Sequence, residues 1–237
     1  MLTFGTTAFA TYDPTTNTDM LTNRTISAHP AFSFEEGDLT SYDHDDRNLV
    51  INWDAKNGRG DGSTIRNANV NAKNITINAD FLDPYEWENK GIISDGNKSG
   101  DGYLTHVTAR GNINITTYND AVYTQDNGST IIDDFKNLNI KSTGEGYGLV
   151  DNGGGITVKG KTDSVVNITT EADQYHAAIG NSLLSYLADD SPDYKLGTGI
   201  TIDAGQITLD SKYRSIFAGV GLNDTFAVNL NAPFSNP

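Results

Sequence analysis

Cysteine is missing from this 237-residue chain, which excludes disulfide bridges and thiol chemistry. That absence fits an exported bacterial protein that folds without bridges, and equally a cytosolic one. Long apolar runs are missing too: no stretch approaches the ~18 residues that a membrane-spanning helix requires. Basic residues are few, 16 Lys and Arg against 31 Asp and Glu, leaving a formal charge of −15. Such a surface repels phosphate backbones and anionic lipid, so neither nucleic acid nor a membrane is expected as a partner. Glutamate is scarce as well, with Asp outnumbering it 25 to 6. What fills the chain instead is Asp, Asn, Thr and Gly, with 24 glycines. Short polar side chains compete with helical hydrogen bonds, and glycine loses the most entropy on ordering, so these residues disfavour helix interiors. They favour turns and left-handed backbone. The composition predicts an all-β chain with many tight turns.

Against that background an apolar-x-apolar doublet recurs six times, at Leu49/Ile51, Ile75/Ile77, Ile113/Ile115, Leu138/Ile140, Val166/Ile168 and Ile207/Leu209. The first members are 26, 38, 25, 28 and 41 residues apart. Periods of roughly 20–50 residues belong to stacked repeats. Two further apolar signals follow each of the later doublets. After Ile113/Ile115 come Val122 and then Ile131-Ile132; after Leu138/Ile140 come Leu149 and then Ile156/Val158; after Ile75/Ile77 come Ile92-Ile93 and then Leu104 and Val107. The i, i+2 spacing marks strands with one buried face. Turn residues separate them, as at Asp126-Asn127-Gly128, Asp151-Asn152-Gly153 and Gly180-Asn181.

The pattern predicts a right-handed parallel β-helix, a solenoid of about six coils with three short strands each. One coil of about 25 residues loses on the order of 35–40 kcal/mol of conformational entropy. Its few inward aliphatics return only ~1.5–3 kcal/mol each, so coils must stack. Ile75, Ile113, Leu138, Val166 and Ile207 are then expected in one column, and Ile77, Ile115, Ile140, Ile168 and Leu209 in the next. Residues 1–48 show the repeat poorly and read as an irregular first coil or N-terminal cap. Residues 49–237 form the β-helix, with insertions near 81–102 and 182–197. Ala8-Phe9-Ala10 has the small-x-small look of a cleavage site, but no basic segment or apolar run precedes it. The abrupt ends read as those of a segment cut from a longer protein, with Met1 an addition.

Three stretches carry a resemblance: Asn-Ile-Asn-Ile-Thr-Thr at 112–117, Asn-Leu-Asn-Ile-Lys at 137–141 and Val-Asn-Ile-Thr-Thr at 166–170. Over about residues 49–230 the chain resembles the passenger regions of bacterial surface adhesins, the autotransporter and filamentous-haemagglutinin class of β-helices. The likeness lies in pattern and composition. It implies an exported chain, secreted or displayed on the bacterial cell surface, with roles in virulence and biofilm formation. The function it implies is attachment to a host matrix protein or glycan, or cell–cell aggregation through self-association.

Candidate sites are sparse. Aromatic and acidic residues concentrate in the insertions, and Tyr85, Trp87, Tyr186 and Tyr194 are the candidate ligand contacts, since loops on a rigid scaffold often carry function. Arg59-Gly60-Asp61 is an integrin-type tripeptide in a glycine-rich turn. Asp95, Asn97, Ser99 and Asp101, with Gly100 at the sixth position, match the opening of a calcium loop. The twelfth position is His106 rather than a bidentate Glu, and no other cofactor is expected. Asn-x-Ser/Thr sequons occur at Asn23, Asn74, Asn97, Asn114, Asn127, Asn167 and Asn223. For catalysis the nearest pair of acids is Asp133-Asp134, and His29, His44, His106 and His176 show no ligand spacing. The chain therefore reads as a non-enzyme. The alternatives are a polysaccharide lyase or hydrolase on the same scaffold, and a structural stalk presenting a distal module.

Overall fold

The computed structural model describes residues 10–28, 39–53, 64–80, 90–96, 100–171, 176–181, 197–218 and 226–233. These are strands and turns, with no helix among them. The strands follow the alternation in the sequence. Asn112–Thr117 reads outward, buried, half-buried, buried, half-buried, buried, with Ile113, Ile115 and Thr117 inward.

The strands pair into three parallel ladders. Ladder A joins Thr18–Thr22, the second half of Tyr42–Asn52, the second half of Asn69–Ala79, Asn112–Thr117, Asn137–Ser142, Val165–Thr170 and Gln206–Ser211. Ladder B joins Ile26–Ser27, Ile65–Arg66, Ile92–Ser94, Val122–Gln125, Leu149–Asn152, Ile179–Gly180 and Ile216–Phe217. Ladder C joins the first halves of Tyr42–Asn52 and Asn69–Ala79 to Leu104–Ala109, Ser129–Asp133, Ile156–Lys159, Ile200–Asp203 and Val228–Asn231. The two long strands make A and C one continuous sheet, while B is a separate seven-stranded sheet. The chain visits A, B and C in that order seven times.

The columns in ladder A are those the doublets predict. Leu49, Ile75, Ile113, Leu138, Val166 and Ile207 lie in register, and so do Ile51, Ile77, Ile115, Ile140, Ile168 and Leu209. Ladder B adds the column Ile26, Ile65, Ile92, Val122, Leu149, Ile179 and Ile216. Apart from the last pass these side chains are fully buried in one core. The third strand departs from the expected pair Leu104/Val107. Val107 is inward, but its inward neighbour is Thr105, while Leu104 faces out and is 45% exposed. A strand buries every second residue, so Thr105 and Val107 share a face that Leu104 cannot.

Seven passes appear instead of six because the first one hides its doublet. Thr18–Thr22 places Asp19 in the Leu49 column and Leu21 in the Ile51 column. Asp19 is buried and accepts hydrogen bonds from the Tyr42 hydroxyl at 2.7 Å and from Arg47 at 3.3 Å. A bulge between His44 and Asn48 accompanies this contact. The strand Thr11–Asp13 folds back antiparallel over Thr18–Thr22, and Arg47 lies 4.7 Å above the Tyr12 ring. At the opposite end the inward residues Ile216 and Leu230 are 45% and 41% exposed.

The corners are polar. Thr117, Ser142, Thr170 and Ser211 line the bend from A to B. Thr117 donates to the Asn119 carbonyl at 2.7 Å, Ser142 to the same carbonyl at 3.0 Å, and Thr170 to the Ser211 hydroxyl at 2.9 Å. Where the backbone leaves a ladder its carbonyls lose strand partners, and short hydroxyls replace them. The turn after Val122–Gln125 carries two consecutive left-handed residues, Asp126 (φ 51°) and Asn127 (φ 67°). It closes with Gly128 N–H donating to the Gln125 carbonyl at 2.8 Å.

Candidate functional site

The outer face of ladder A is an array of amides and hydroxyls. From Asn48 to Asp210, six passes expose three outward positions each. Nine of these are Asn, four Thr and one Gln, with Val50, Val165, Lys141 and Asp210 making up the rest. The outward columns follow from the Asn-x-Asn spacing around each doublet: one residue before it, one inside it and one after it.

Register then brings amide over amide. Asn74 donates Nδ2–H to Asn48 Oδ1 at 2.8 Å, Asn78 to Asn52 at 2.7 Å and Asn137 to Asn112 at 2.7 Å. Asn139 donates to Asn114 at 2.9 Å and Asn167 to Asn139 at 3.0 Å. Every one of these bonds runs from a later pass to the preceding one. The Asn74 side-chain oxygen also accepts from the Asn112 backbone N–H at 2.7 Å. Each bond fixes a side chain that would otherwise rotate. Lys141, within this array, lies 2.9 Å from Glu171, whose carboxylate raises the ammonium pKa above its usual range by hydrogen bonding and charge.

The outer face of ladder C is charged. His106 Nε2 lies 3.0 Å from the Asp133 carboxylate, and the Thr108 hydroxyl donates to the same carboxylate at 2.8 Å. Lys159 follows Asp133 in register, and Asp203 follows Lys159. At its edge Arg110 pairs with Asp45, and Lys161 lies 3.8 Å from Asp134. The chain turns at Asp134 (φ 58°), and the carboxylates of Asp133 and Asp134 take different partners, His106 and Lys161.

Beneath the corner from B to C sits a buried carboxylate. Asp151 is fully buried. Its Oδ1 accepts from the Thr124 hydroxyl and from the Gly153 and Gly155 N–H groups at 3.0 Å each, and its Oδ2 accepts from Gly199 N–H at 2.7 Å. The sequence places Asp151-Asn152-Gly153 in a turn; in the structure Asp151 and Asn152 end the strand Leu149–Asn152 and are both buried, Asp151 on the inward face in register with Thr124 and Asn152 on the opposite face in register with Gln125. A sharp corner frees several N–H groups at once, and one carboxylate gathers them.

Of the candidate residues from the sequence, Tyr85, Trp87, Tyr186, Tyr194, Arg59, Gly60, Asp61, Asn97 and Ser99 lie outside the described residues. Asp95 is buried, accepting from Arg66 at Oδ2 and from Asn67 at Oδ1. Asp101 is exposed, beside the Gly96–Gly102 bridge. A Cβ at either glycine of that bridge would run into the Asp126 or Asn127 carbonyl, so the crossing needs glycine. No group of three or more His, Asp or Glu placed to hold a metal occurs among the described residues. Of the sequons, Asn74, Asn114 and Asn167 belong to the amide ladders, whereas Asn23 and Asn127 sit in left-handed turns and Asn97 and Asn223 lie outside the described residues.

Neither the amide ladders nor Asp151 stood out in the sequence reading. The first were visible as Asn flanking the doublets. The second has no sequence signal beyond an Asp followed by glycines, which also describes a solvent-exposed turn. Among the described residues no helix is long and apolar enough to cross a membrane. Comparison with known proteins returns no match: no family model fits the chain, and no curated protein or solved structure matches it.

Proposed function

We propose that the three ladders are the walls of a right-handed parallel β-helix, one coil per pass, and that the chain is a segment of a bacterial adhesin, secreted or held at the cell surface. In this reading it attaches cells to a host matrix protein or glycan, or to one another. The observation that carries the reading is the outer face of ladder A, a long, nearly uncharged array on a chain of net charge −15. Attachment along a rod needs groups that are ordered before the partner arrives. Bonds between Asn side chains of successive passes supply that order. Single contacts of ~0.5–1.5 kcal/mol gain strength by repetition. Tyr85, Trp87, Tyr186 and Tyr194 would add local contacts from the insertions.

The test is display of the chain on otherwise non-adherent bacteria. Attachment to matrix-protein or glycan-coated surfaces, or clumping in suspension, is the expected outcome. Cells indistinguishable from undecorated ones in all three assays would remove the adhesin reading. The proximity of His106 and Asp133 favours a second reading, a polysaccharide-degrading β-helix. Release of unsaturated or reducing ends from acidic or neutral glycans, abolished by Asp133→Asn, would put that reading in first place.

A further inference from the structure

Building on the adhesin reading, we propose that the outer face of ladder A binds an uncharged, hydroxyl-rich polymer: a neutral polysaccharide lying along the stack. The first argument is charge. The array carries one Lys and one Asp in eighteen positions, while ladder C carries the ionic contacts Arg110–Asp45, Lys161–Asp134 and His106–Asp133. An anionic polymer would find no basic cluster on this face to offset a net charge of −15.

The second argument is hydrogen-bonding capacity. An Asn side chain has two N–H donors and two acceptor lone pairs. In a ladder amide such as Asn139, one N–H goes to Asn114 and one lone pair receives Asn167. One donor and one acceptor remain on each such amide, already held in orientation. A sugar hydroxyl both donates and accepts, so it matches that remainder, and the Thr hydroxyls between the amides add the same chemistry.

The third argument is what the face lacks. Protein interfaces rest on buried aromatic and Arg anchors, and these eighteen positions contain neither. The array offers a protein partner, including a second copy, no hot spot. It offers a polymer the same groups again at each pass, every ~4.8 Å along the stack. Binding therefore accumulates with length rather than residing in one pocket.

The whole chain is titrated with soluble dextran, mannan and mixed-linkage β-glucan, with their trisaccharides, and with heparin. At least one long uncharged polymer is expected to bind tenfold or more tightly than its trisaccharide. The double variant Thr116→Glu/Thr169→Glu removes no ladder bond but places two carboxylates on the face. It is expected to weaken that binding at least tenfold at an unchanged melting temperature, while Thr157→Glu on ladder C changes nothing. Thr208→Glu, at an exposed position of the same array, is the second variant if the double one fails to fold. Absence of binding by every uncharged polymer, equal affinity for a trisaccharide, preference for heparin, or full binding by the face variants would each overturn the proposal. Cells displaying the chain separate this failure from that of the adhesin reading. If they attach or clump while uncharged polymers neither bind nor compete, this inference falls and the adhesin reading stands; if they do neither, both fall.

Discussion

Replacing Asp151 by Asn keeps the shape of the buried side chain and exchanges one acceptor for a donor. In the native chain Oδ1 holds Thr124, Gly153 and Gly155, and Oδ2 holds Gly199. The amide oxygen of Asn is best placed on the three-donor side, which leaves its NH2 facing the Gly199 N–H. That donor is stranded in the interior at a cost of about 1–3 kcal/mol. The other three bonds weaken when the charge is lost, but burying a neutral amide also avoids the several kcal/mol needed to desolvate a carboxylate. These two effects oppose each other at similar size, so the expected loss is about 1–3 kcal/mol. Asp151→Ala strands four donors, on the order of 4–12 kcal/mol, comparable to the whole stability of an ordinary domain. The Ala chain is therefore expected to lose the passes around Asp151 altogether. Urea unfolding measures the global effect, and amide hydrogen exchange at Gly153, Gly155 and Gly199 measures the local one. In the Asn variant Gly199 should exchange faster, while Gly153 and Gly155 remain protected. An unchanged urea midpoint with an unchanged Gly199 rate, or an Ala variant no worse than Asn, would refute the assignment of this carboxylate as the corner's acceptor.

Other perturbations test other parts of the stack. Leu138→Ala empties the fully buried site between Ile113 and Val166 and should cost about 2–5 kcal/mol by urea unfolding; Lys141→Ala, removing an exposed pair with Glu171, should change stability by less than ~1 kcal/mol. Asp95→Ala leaves the buried Arg66 guanidinium without its carboxylate and should cost about 3–5 kcal/mol in the same assay. Tyr42→Phe deprives buried Asp19 of a donor and should destabilise by about 1.5–3 kcal/mol at neutral pH. Burial first, then the hydrogen bond and charge of Asp19, raise the Tyr42 pKa above its ordinary value of 10.0. The stability tied to its protonated form is thus complete below pH ~10 and is lost as the pH climbs towards the folded-state value. Unfolding midpoints of the native chain and the Phe variant should accordingly converge above pH ~10, and a constant gap would contradict this.

Ladder A was legible in the sequence because its two inward columns are aliphatic in six passes, and period-2 alternation leaves few other arrangements for Ile113/Ile115 or Leu138/Ile140. The first pass was not, since Asp19 stands where an aliphatic residue would announce a strand. Its burial depends on Tyr42 and Arg47, both more than twenty residues away. Ladder C was half legible. Its inward positions mix Thr105 and Thr130 with Val107 and Ile132, while Leu104 and Ile131 supply misleading apolar signals on the outer side. The candidate face was written in the Asn residues around the doublets, yet composition alone cannot tell whether such residues turn the chain or stack. Only the register of one pass on the next makes Asn114, Asn139 and Asn167 a single hydrogen-bonded line.

The two ends of the stack are not equivalent. In the first pass Leu21 and Ile26 are fully shielded, with Thr11–Asp13 paired beside Thr18, Asp19 and Met20 and with Leu39 bridged to Ile26, whereas Ile216 and Leu230 in the last described pass meet water over nearly half their area. In a quasi-one-dimensional array each layer is held by its neighbours alone. Within these 237 residues the layer with wet aliphatics is the natural place for the chain to fray. Heat or denaturant should therefore peel these 237 residues from the Ile216 layer towards Asp19, like a zipper with one end sewn shut.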